Sequence, residues 1–327
     1  MPRYLDMAAA QLGPIGRRET KAQVVRRLVA LIDQAAERGV ELVVFPEMAL
    51  TTFFPRWYIE DRAEVEGFFE SEMPNADVQP LFDAAARRCI GFYLGFCERA
   101  VEGNRVRRFN ASVLVDRDGR VLGKYRKVHV PGASADDPTM PFQHLEKLYF
   151  EDGNLGFPVF DGFHGRVGMA ICNDRRWPET YRAMALQGAD VVVLGYNSPA
   201  QLPDWPDQNA HRAFHHLVCM QAAAYQNGIW IVASAKAGRE EGVDMLGHSC
   251  VIAPSGDVVA LAATLGDELV ACRGDLDMAP YFKSFYDFGR NRRPDQYGAL
   301  LMAVGKDERA LADNAACRRY WDAAAPP

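Results

Sequence analysis

The sequence of 327 residues lacks the features that mark several large classes of protein. No stretch approaches the run of roughly 18 apolar residues that a membrane helix needs, and Asp6 interrupts the apolar stretch where a signal peptide would begin. An excess of positive charge is missing too, because 37 Lys and Arg stand against 43 Asp and Glu, for a net charge of −6. We therefore expect a cytoplasmic protein that binds neither nucleic acid nor membranes.

Signatures of metals and cofactors are also missing. The seven cysteines are scattered and never form a Cys-x-x-Cys pair, which excludes the usual zinc spacing and a disulfide framework. His211 and His215 have the spacing of a helical metal pair, with His216 beside them, but no acidic residue completes a His-Glu-x-x-His motif. No glycine-rich phosphate loop is present. We predict no metal and no cofactor, and we place these histidines in the core or on the surface.

What the sequence does contain is a regular alternation of helical patterns and short apolar runs. The clearest helix is Lys21–Arg38, in which the apolar residues fall on one side and a glycine follows the last turn. Four apolar runs predict strands that are buried on both faces: Leu42–Phe45, Phe92–Leu94, Val191–Leu194 and Ile229–Val232. This alternation predicts an α/β protein in which helices pack on sheets.

Two pairs of segments repeat at one offset. Ser112–Leu122 resembles Ser249–Val259, 137 positions further on, and both have the pattern of a β-hairpin that turns at a glycine. Gly91–Phe96 and Gly228–Ala233 repeat at the same offset. Two matches at one offset predict a domain of two pseudo-symmetric halves, each of which contributes a sheet to a sandwich with helices outside.

Cys172 is the most informative single residue. It ends an apolar, strand-like run and is followed by a polar turn and then by Pro178-Glu179, which suits the first turn of a helix. A thiol between a strand end and a helix start feels the positive end of the helix dipole, so we expect a lowered pKa and a nucleophilic thiolate. The alternative is a buried structural cysteine, which is the commoner fate of this residue type.

Two further polar residues end apolar runs. Glu47 follows Glu41–Pro46, where the proline stops the strand and directs the carboxylate away from the end of the sheet, and Lys127 closes Leu122–Arg126. Taken separately, Glu47 could be an exposed cap and Lys127 an ordinary surface lysine. Taken together with Cys172, however, their sequence contexts match three residues that occur together in one known family.

Phe45-Pro46-Glu47, Gly123–Lys127 and Ile171–Asp174 together resemble the nitrilase superfamily of carbon–nitrogen hydrolases, and longer matches at Phe45–Trp57 and Cys172–Pro178 resemble its N-carbamoyl-D-amino acid amidohydrolases. The resemblance runs from about residue 4 to about residue 300. It implies a four-layer α-β-β-α sandwich over residues 1–280. It also implies a homodimer or homotetramer, with residues 281–327 as a C-terminal extension and Tyr281–Tyr297 as an interface arm.

The same resemblance implies roles for individual residues. Glu47 would be the general base, Lys127 would stabilise the oxyanion and Cys172 would be the nucleophile. Glu146 would orient Lys127 or the attacking water, unless it is a helix-face glutamate paired with Lys147. The substrate's carboxylate and ureido group would be bound by a further set of residues: His144, Asn173, Arg175, Arg176, Asn197 and Ser198. At least one of the two arginines could instead be structural and pair with Asp174 or Glu179.

Two loops depart from the carbamoylase pattern. Gly132–Pro141 lacks the charged, aromatic sequence usual there, Ala200–Asn209 is distinctive, and Ser198 stands where Thr is usual. We predict hydrolysis of N-carbamoyl-D-amino acids to the D-amino acid, ammonia and carbon dioxide through a thioester at Cys172. The alternatives are another small carboxylate-bearing amide or ureido acid on the same residues, a nitrile substrate, and a non-catalytic protein that has kept the fold.

Overall fold

The computed structural model describes residues 2–285, 287–302 and 315–322. Within these ranges the chain forms fifteen strands: β1 (Tyr4–Gln11), β2 (Leu42–Val44), β3 (Phe69–Glu70), β4 (Gly91–Glu102), β5 (Arg105–Val115), β6 (Val121–Arg126), β7 (Val159–Gly162), β8 (Gly165–Ile171), β9 (Val191–Tyr196), β10 (Trp230–Ala235), β11 (Ala237–Glu240), β12 (Val243–Leu246), β13 (Cys250–Ile252), β14 (Val258–Leu261) and β15 (Glu268–Asp275).

Helices occupy the segments between many of these strands. Nine α-helices fall within the described residues, and none of them is long and apolar enough to cross a bilayer. Their bounds are α1 (Lys21–Glu37), α2 (Arg62–Glu66), α3 (Gln79–Arg88), α4 (Glu146–Tyr149), α5 (Pro178–Leu186), α6 (Arg212–Asn227), α7 (Met278–Phe285), α8 (Phe288–Asn291) and α9 (Ala315–Asp322).

The two large sheets have matching topologies. One has the order β15-β1-β2-β4-β5-β6, with β3 added beside β4, and the other has the order β14-β13-β10-β9-β8-β7. In each sheet three parallel strands, β1-β2-β4 or β8-β9-β10, are followed by an antiparallel hairpin and preceded by one antiparallel strand. The predicted pair of pseudo-symmetric halves is confirmed by this repeat of strand order and direction.

The hydrophobic core lies in layers because successive strand residues point to opposite faces. In β1 the side chains of Leu5, Met7 and Ala9 join the core between the two sheets, whereas Ala8 and Ala10 join the core beneath α1 and α3. Helices α5 and α6 cover the second sheet, with buried Tyr181, Met184 and Met220 in the same core as β8, β9 and β10. The layers are helix, sheet, sheet and helix, so the predicted four-layer sandwich is confirmed.

Local predictions agree with the structure as well. Helix α1 ends one residue before the predicted limit, and Thr20 caps its first turn by accepting a hydrogen bond from the Gln23 amide. Both predicted hairpins form, and the glycine in each turn, Gly119 or Gly256, has the positive φ that favours this residue.

The C-terminal segment has two different parts. Helix α7 spans the predicted boundary at residue 280. The side chains of Tyr281 and Leu301, which follow that boundary in the sequence, are exposed. Helix α9 instead returns to the domain, where the Tyr320 hydroxyl donates a hydrogen bond to the Ile59 carbonyl at 2.7 Å. Residue 286 and residues 303–314 and 323–327 of the predicted extension lie outside the described residues. Its role in a dimer or tetramer stays a prediction.

Candidate active site

Glu47 lies between the two large sheets, against one strand of each. It follows β2 and is fully buried. Gly95 in β4 and Gly195 in β9 face it, and a Cβ atom built on Gly195 would lie 2.3 Å from the Glu47 backbone nitrogen. Any side chain at Gly195 would therefore push the Pro46-Glu47 backbone away. These strand-interior glycines let the backbone carry Glu47 between the sheets.

Lys127 holds two buried carboxylates together. Its Nζ lies 2.8 Å from Oε1 of Glu47 and 2.6 Å from Oε2 of Glu146, and the side chains of all three residues are fully buried. Burial disfavours a charged ammonium, but attraction to Cys172 when its sulfur is ionised, and to the Glu146 and Glu47 carboxylates, outweighs that effect and raises the pKa of Lys127. The ammonium therefore stays charged at neutral pH.

Glu146 is the anion that pairs most firmly with this lysine. Burial raises the pKa of its carboxyl group, but Lys127 and His144 overcome that effect and lower the pKa to about 2. Oε1 of Glu146 lies 2.7 Å from Nε2 of His144. The structure thus brings Glu146 against Lys127, as the resemblance implies, and adds His144 to the same network.

Asn110 in β5 links the two carboxylates directly. Its side-chain amide donates to Oε1 of Glu47 at 2.7 Å and to Oε2 of Glu146 at 3.1 Å. Its carbonyl accepts a hydrogen bond from the Lys127 amide at 2.8 Å. One residue therefore contacts all three members of the charged cluster, and the sequence analysis did not identify it.

Cys172 lies on a sharp turn between β8 and a short 3₁₀ helix, Cys172–Arg176. Its φ of 47° is in the left-handed region, which is strained for a residue other than glycine and is often found at functional sites. Asp174 supports this turn from within. Its carboxylate accepts hydrogen bonds from the Ile171 amide at 3.0 Å and from the Tyr125 hydroxyl at 2.8 Å.

The expected lowering of the Cys172 pKa is wrong. Burial and the neighbouring Glu47 raise the pKa of the thiol, and the positive charges of Lys127 and Arg175 only partly oppose them. The sequence pattern placed Cys172 correctly between a strand end and a helix start, but it did not reveal the burial that is the largest cause of the raised pKa. The resting sulfur is a thiol and must lose its proton as it attacks.

A proton acceptor lies within reach of that thiol. One oxygen of Glu47, one oxygen of Glu146 and Sγ of Cys172 all lie within 4.8 Å of one another. Such a trio could bind a metal ion, but the Lys127 ammonium already contacts both carboxylates at hydrogen-bond distance. The cluster is therefore suited to nucleophilic attack by sulfur, with a carboxylate to take the proton and an ammonium to stabilise an oxyanion.

Two predicted substrate ligands lie beside the carboxylates. Asn197 is buried, its amide donates to Oε2 of Glu47 at 2.8 Å, and its side-chain Oδ1 has no partner among the described residues. His144 is partly exposed, and its ring meets that of Phe53 edge to face at 5.4 Å. Asn197 and His144 therefore lie on the same side of the site as the charged cluster.

The other predicted ligands lie around the turn that carries Cys172. Arg175 is buried, and its guanidinium donates to the Cys172 carbonyl at 2.7 Å and to the Ser198 hydroxyl at 2.8 Å. Arg176 is exposed at the rim and donates to Oδ1 of Asn173 at 3.2 Å. Arg175 thus has a structural contact to the nucleophile, although its partners are not the predicted Asp174 or Glu179. Substrate binding by these residues stays a prediction.

The sequence profile described as carbon-nitrogen hydrolase matches residues 6–279. The chain belongs to the carbon–nitrogen hydrolase family. As a member it is an amidase-type hydrolase with a cysteine nucleophile, which agrees with the buried Glu47, Lys127, Glu146 and Cys172 cluster.

Individual family members match over nearly their whole length. An N-carbamoylputrescine amidase from Solanum tuberosum is 29% identical over 317 residues, which cover 93% of this chain and 97% of that protein. A citrullinase from Francisella tularensis is 27% identical over 292 residues, which cover 86% of this chain and 94% of that protein. The crystal structure of a carbon-nitrogen hydrolase from Helicobacter pylori has a TM-score of 0.79 at 22% identity, over 92% of this chain and 99% of that one, and supports the fold.

Sequence reasoning missed several members of this carbon–nitrogen hydrolase site. Asn110 is a polar residue within the largely apolar part of β5, and that interruption was the available signal. Tyr125 and His129 contact the Asp174 carboxylate that fixes the nucleophile turn. Of the three histidines set aside above, His216 is buried beside Tyr196, while the other two are exposed.

Proposed function

We propose that this carbon–nitrogen hydrolase acts on N-carbamoyl-D-amino acids and releases the D-amino acid, ammonia and carbon dioxide. One observation carries the proposal: the Arg175 guanidinium contacts Cys172, and Arg176 and Arg212 lie close enough to interact with it electrostatically. Within the described ranges, no acidic side chain forms a salt bridge with Arg175, Arg176 or Arg212. An anionic substrate would supply the missing charge.

The three arginines are close enough to affect one another. The charge of Arg175 lowers the pKa of Arg176 to about 10, and burial together with Arg175 lowers the pKa of Arg212. Repulsion of this kind is relieved when a carboxylate binds, and planar guanidinium groups suit bidentate capture. Arg176 is the most exposed of the three and Arg175 is buried, so we expect Arg176 to meet the substrate's carboxylate first.

The first half of the proposed reaction forms a covalent intermediate. Sγ of Cys172 bonds to the ureido carbon while its proton passes to Glu47. The carbonyl oxygen becomes an oxyanion, which the Lys127 ammonium and the backbone N–H that follows Cys172 stabilise. The oxyanion then re-forms the carbonyl, the bond from carbon to the terminal nitrogen breaks, and Glu47 returns the proton to the departing ammonia.

The second half restores the enzyme. Water loses a proton to Glu47 and attacks the S-bound carbonyl, while Glu146 keeps Lys127 in place through the 2.6 Å contact. The carbon–sulfur bond breaks, the thiol is protonated again and a carbamic acid leaves. That acid decomposes to carbon dioxide and the free amino acid, so one water is consumed for each ammonia and each carbon dioxide released.

A second candidate keeps the same residues and changes the substrate to another ureido acid. The citrullinase match favours it, because citrulline also combines a carboxylate with a ureido group. The amine of N-carbamoylputrescine, by contrast, is a cation that the three arginines would repel. We therefore rank a carboxylate-bearing ureido compound above the substrate that gives the Solanum tuberosum amidase its name.

Ammonia release tests both candidates in one assay. Paired N-carbamoyl-D- and N-carbamoyl-L-amino acids, citrulline and N-carbamoylputrescine are compared for the wild type and for Cys172→Ala. We expect turnover of the D series that Cys172→Ala abolishes. Turnover of citrulline with an inert D series would establish the second candidate, and turnover of N-carbamoylputrescine alone would overturn the assignment of an anionic substrate.

A further inference from the structure

A separate hydrophobic cluster packs beside the two carboxylates of the charged cluster. Its buried members include Met48, which directly follows Glu47, and Leu145 and Leu148, which lie on either side of Glu146 in the sequence. Among the described residues, all of its buried members but one lie between positions 48 and 150, and the exception is Tyr320 in α9. The C-terminal helix therefore completes a cluster that otherwise belongs to the first half of the domain.

Glu146 is carried by a helix of only one turn. Helix α4 consists of Glu146–Tyr149, and a helix this short is not stable without tertiary contacts. The Tyr149 hydroxyl supplies two of them, because it donates to the Trp57 carbonyl at 2.7 Å and accepts a hydrogen bond from the Ile59 amide at 2.9 Å. Tyr149 therefore fastens the end of α4 to the loop at residues 57–59.

Helix α9 covers this junction. Tyr320 is 6% exposed, its hydroxyl donates to the Ile59 carbonyl at 2.7 Å, and its ring meets that of Tyr149 edge to face at 5.2 Å. Tyr149 ends α4, so its carbonyl has no partner within that helix. The Trp321 indole Nε1 donates to this carbonyl at 3.2 Å, and the Arg108 guanidinium lies 3.5 Å from the centre of the indole ring. Both the end of α4 and the loop beside it are thus bonded to α9.

We propose that Tyr320 and Trp321 are positioning residues, which fasten α4 and so keep Glu146 against Lys127. The contacts lead from α9 to Tyr149, along one helical turn to Glu146, and from its Oε2 to Nζ of Lys127 at 2.6 Å. The C-terminal extension then serves the active site of its own subunit, a role distinct from the interface that the family resemblance implies for it. The inference goes beyond the proposed function, because it applies to any substrate whose oxyanion needs the Lys127 ammonium.

A double-mutant cycle tests the proposal. Tyr320→Ala removes the ring and the hydroxyl, so kcat for ammonia release should fall by at least about tenfold, because small displacements in an active site have effects of this size. In a Glu146→Gln protein, which has lost the ion pair to Lys127, the same substitution should lower kcat by less than about threefold. A tenfold loss in both backgrounds would show that Tyr320 acts on stability alone and would overturn the proposal.

Three further variants act as controls. Tyr320→Phe keeps the ring and should retain kcat within about threefold of the wild type. Tyr281→Ala removes a tyrosine that is 60% exposed in the same extension and should leave kcat unchanged. Trp321→Leu replaces Tyr320→Ala if that variant fails to fold, and it should show the same dependence on Glu146.

The oligomeric state separates positioning from assembly. Light scattering after size exclusion should give the same mass for the wild type and for Tyr320→Ala at the protein concentration of the assay. A Tyr320→Ala protein that dissociates, and that regains kcat when it is concentrated, would assign α9 to a subunit interface and overturn the proposal.

The inference can also be tested without a substrate, so failure of the proposed function would be recognised separately. Burial and Glu47 raise the pKa of Cys172, and the charges of Lys127 and Glu146 shift it further in opposite directions, so their arrangement affects the reactivity of the sulfur. If no compound is hydrolysed, alkylation of Cys172 by iodoacetamide at pH 7 is followed by mass spectrometry in the same four proteins. Tyr320→Ala should change this rate by at least about threefold in the wild-type background and not in Glu146→Gln. Equal rates in the wild type and Tyr320→Ala would overturn the proposal whatever the natural substrate is.

Discussion

Among the residues that the structure describes, two lysines have completely buried side chains, and their pKa values shift in opposite directions. Lys127 contacts Glu47 at 2.8 Å and Glu146 at 2.6 Å. Lys236 contacts Glu240 at 3.3 Å and donates a hydrogen bond to the Thr51 carbonyl. Burial lowers the pKa of each ammonium, yet the pKa of Lys127 is raised overall and that of Lys236 is lowered. Burial alone therefore does not determine the direction of the pKa shift.

The difference comes from the charges around each lysine. Lys127 shares its site with two carboxylates and with Cys172. Lys236 shares one carboxylate with Arg56, whose positive charge further lowers the Lys236 pKa. A single ammonium between two anions keeps its proton at any physiological pH, so Lys127 is a dependable positive charge for an oxyanion. The Lys236 cluster contains two cations, Lys236 and Arg56, which share the single carboxylate of Glu240. Loss of that carboxylate should therefore destabilise the cluster.

The two clusters also contact different parts of the molecule. Glu240 accepts hydrogen bonds from the Phe53 amide at 2.8 Å and the Ile15 amide at 3.0 Å, in addition to its ion pairs. It therefore fixes the backbone at Phe53 and at Ile15. The Lys127 cluster lies within 4.8 Å of the Cys172 sulfur through its carboxylates. We infer that one buried ionic cluster serves the chemistry and the other the fold.

The largest effect should come from removing the anion of the structural cluster. Glu240→Gln leaves the Arg56 and Lys236 cations buried without a counter-ion, and breaking a buried pair in this way costs about 3–5 kcal/mol. Urea unfolding at pH 7 measures the loss, and the folded fraction should retain kcat within about tenfold. A stable variant with abolished kcat would assign Glu240 to the chemistry instead.

The pH dependence of that loss has a definite sign. The partners of Glu240 lower the pKa of its carboxyl group in the folded protein. Its stabilising contribution is therefore present above the unfolded pKa of about 4.3 and disappears as the pH falls through the folded value. The difference in unfolding free energy between the wild type and Glu240→Gln should shrink as the pH is lowered from 7 toward 3.

The next largest effect should separate the two lysines by activity. Lys127→Met removes the oxyanion's positive charge and leaves Glu47 facing Glu146, so kcat for ammonia release should fall by at least about 10²–10³-fold. Lys236→Met is the matched control, because it removes an equally buried ammonium from a cluster that keeps Arg56. Its kcat should stay within about tenfold of the wild type. Equal losses in the two variants would contradict the division of roles.

Much of the fold could be predicted because it is written in local patterns. Helix α1 has a one-sided apolar pattern and a capping threonine, and the two hairpins repeat around Gly119 and Gly256. The apolar runs of β2 and β9 are long enough to mark strands but not to show which ones pair. The repeat and the family resemblance predicted two halves and four layers, but the strand order came from the structure alone.

The site was less accessible from sequence because its properties depend on tertiary distances. The resemblance brought Glu47, Lys127 and Cys172 together, but it did not show that burial and the charge of Glu47 raise the pKa of the thiol. Asn110 was missed for a similar reason. An asparagine in a strand is informative only once Glu47 and Glu146 are known to lie on either side of its amide.

Asn110 gives the third prediction. Asn110→Ala removes a donor shared by two buried carboxylates, and hydrogen bonds to charged groups contribute about 1.5–3 kcal/mol. We expect kcat to fall by roughly 10–100-fold, because Glu47 and Glu146 lose the amide that donates a hydrogen bond to both of them beside Lys127. Ser112→Ala, at a buried position two residues further along β5, should change kcat by less than threefold. A similar loss in both variants would attribute the effect to strand packing.

The smallest effect tests the opposite pKa shifts themselves. Between pH 8 and 10 Lys127 keeps its proton in the folded and unfolded states, since its folded pKa is raised above the unfolded value of about 10.4. Its contribution is lost only at higher pH, so the difference in unfolding free energy between the wild type and Lys127→Met should stay flat over this range. Lys236 has a lowered folded pKa, so above that value the unfolded chain binds more protons. The wild type should therefore gain stability relative to Lys236→Met as the pH rises, by less than about 1.4 kcal/mol per pH unit. Urea unfolding of both variants at pH 8, 9 and 10 measures the two slopes, and parallel slopes would show that the two buried lysines do not differ.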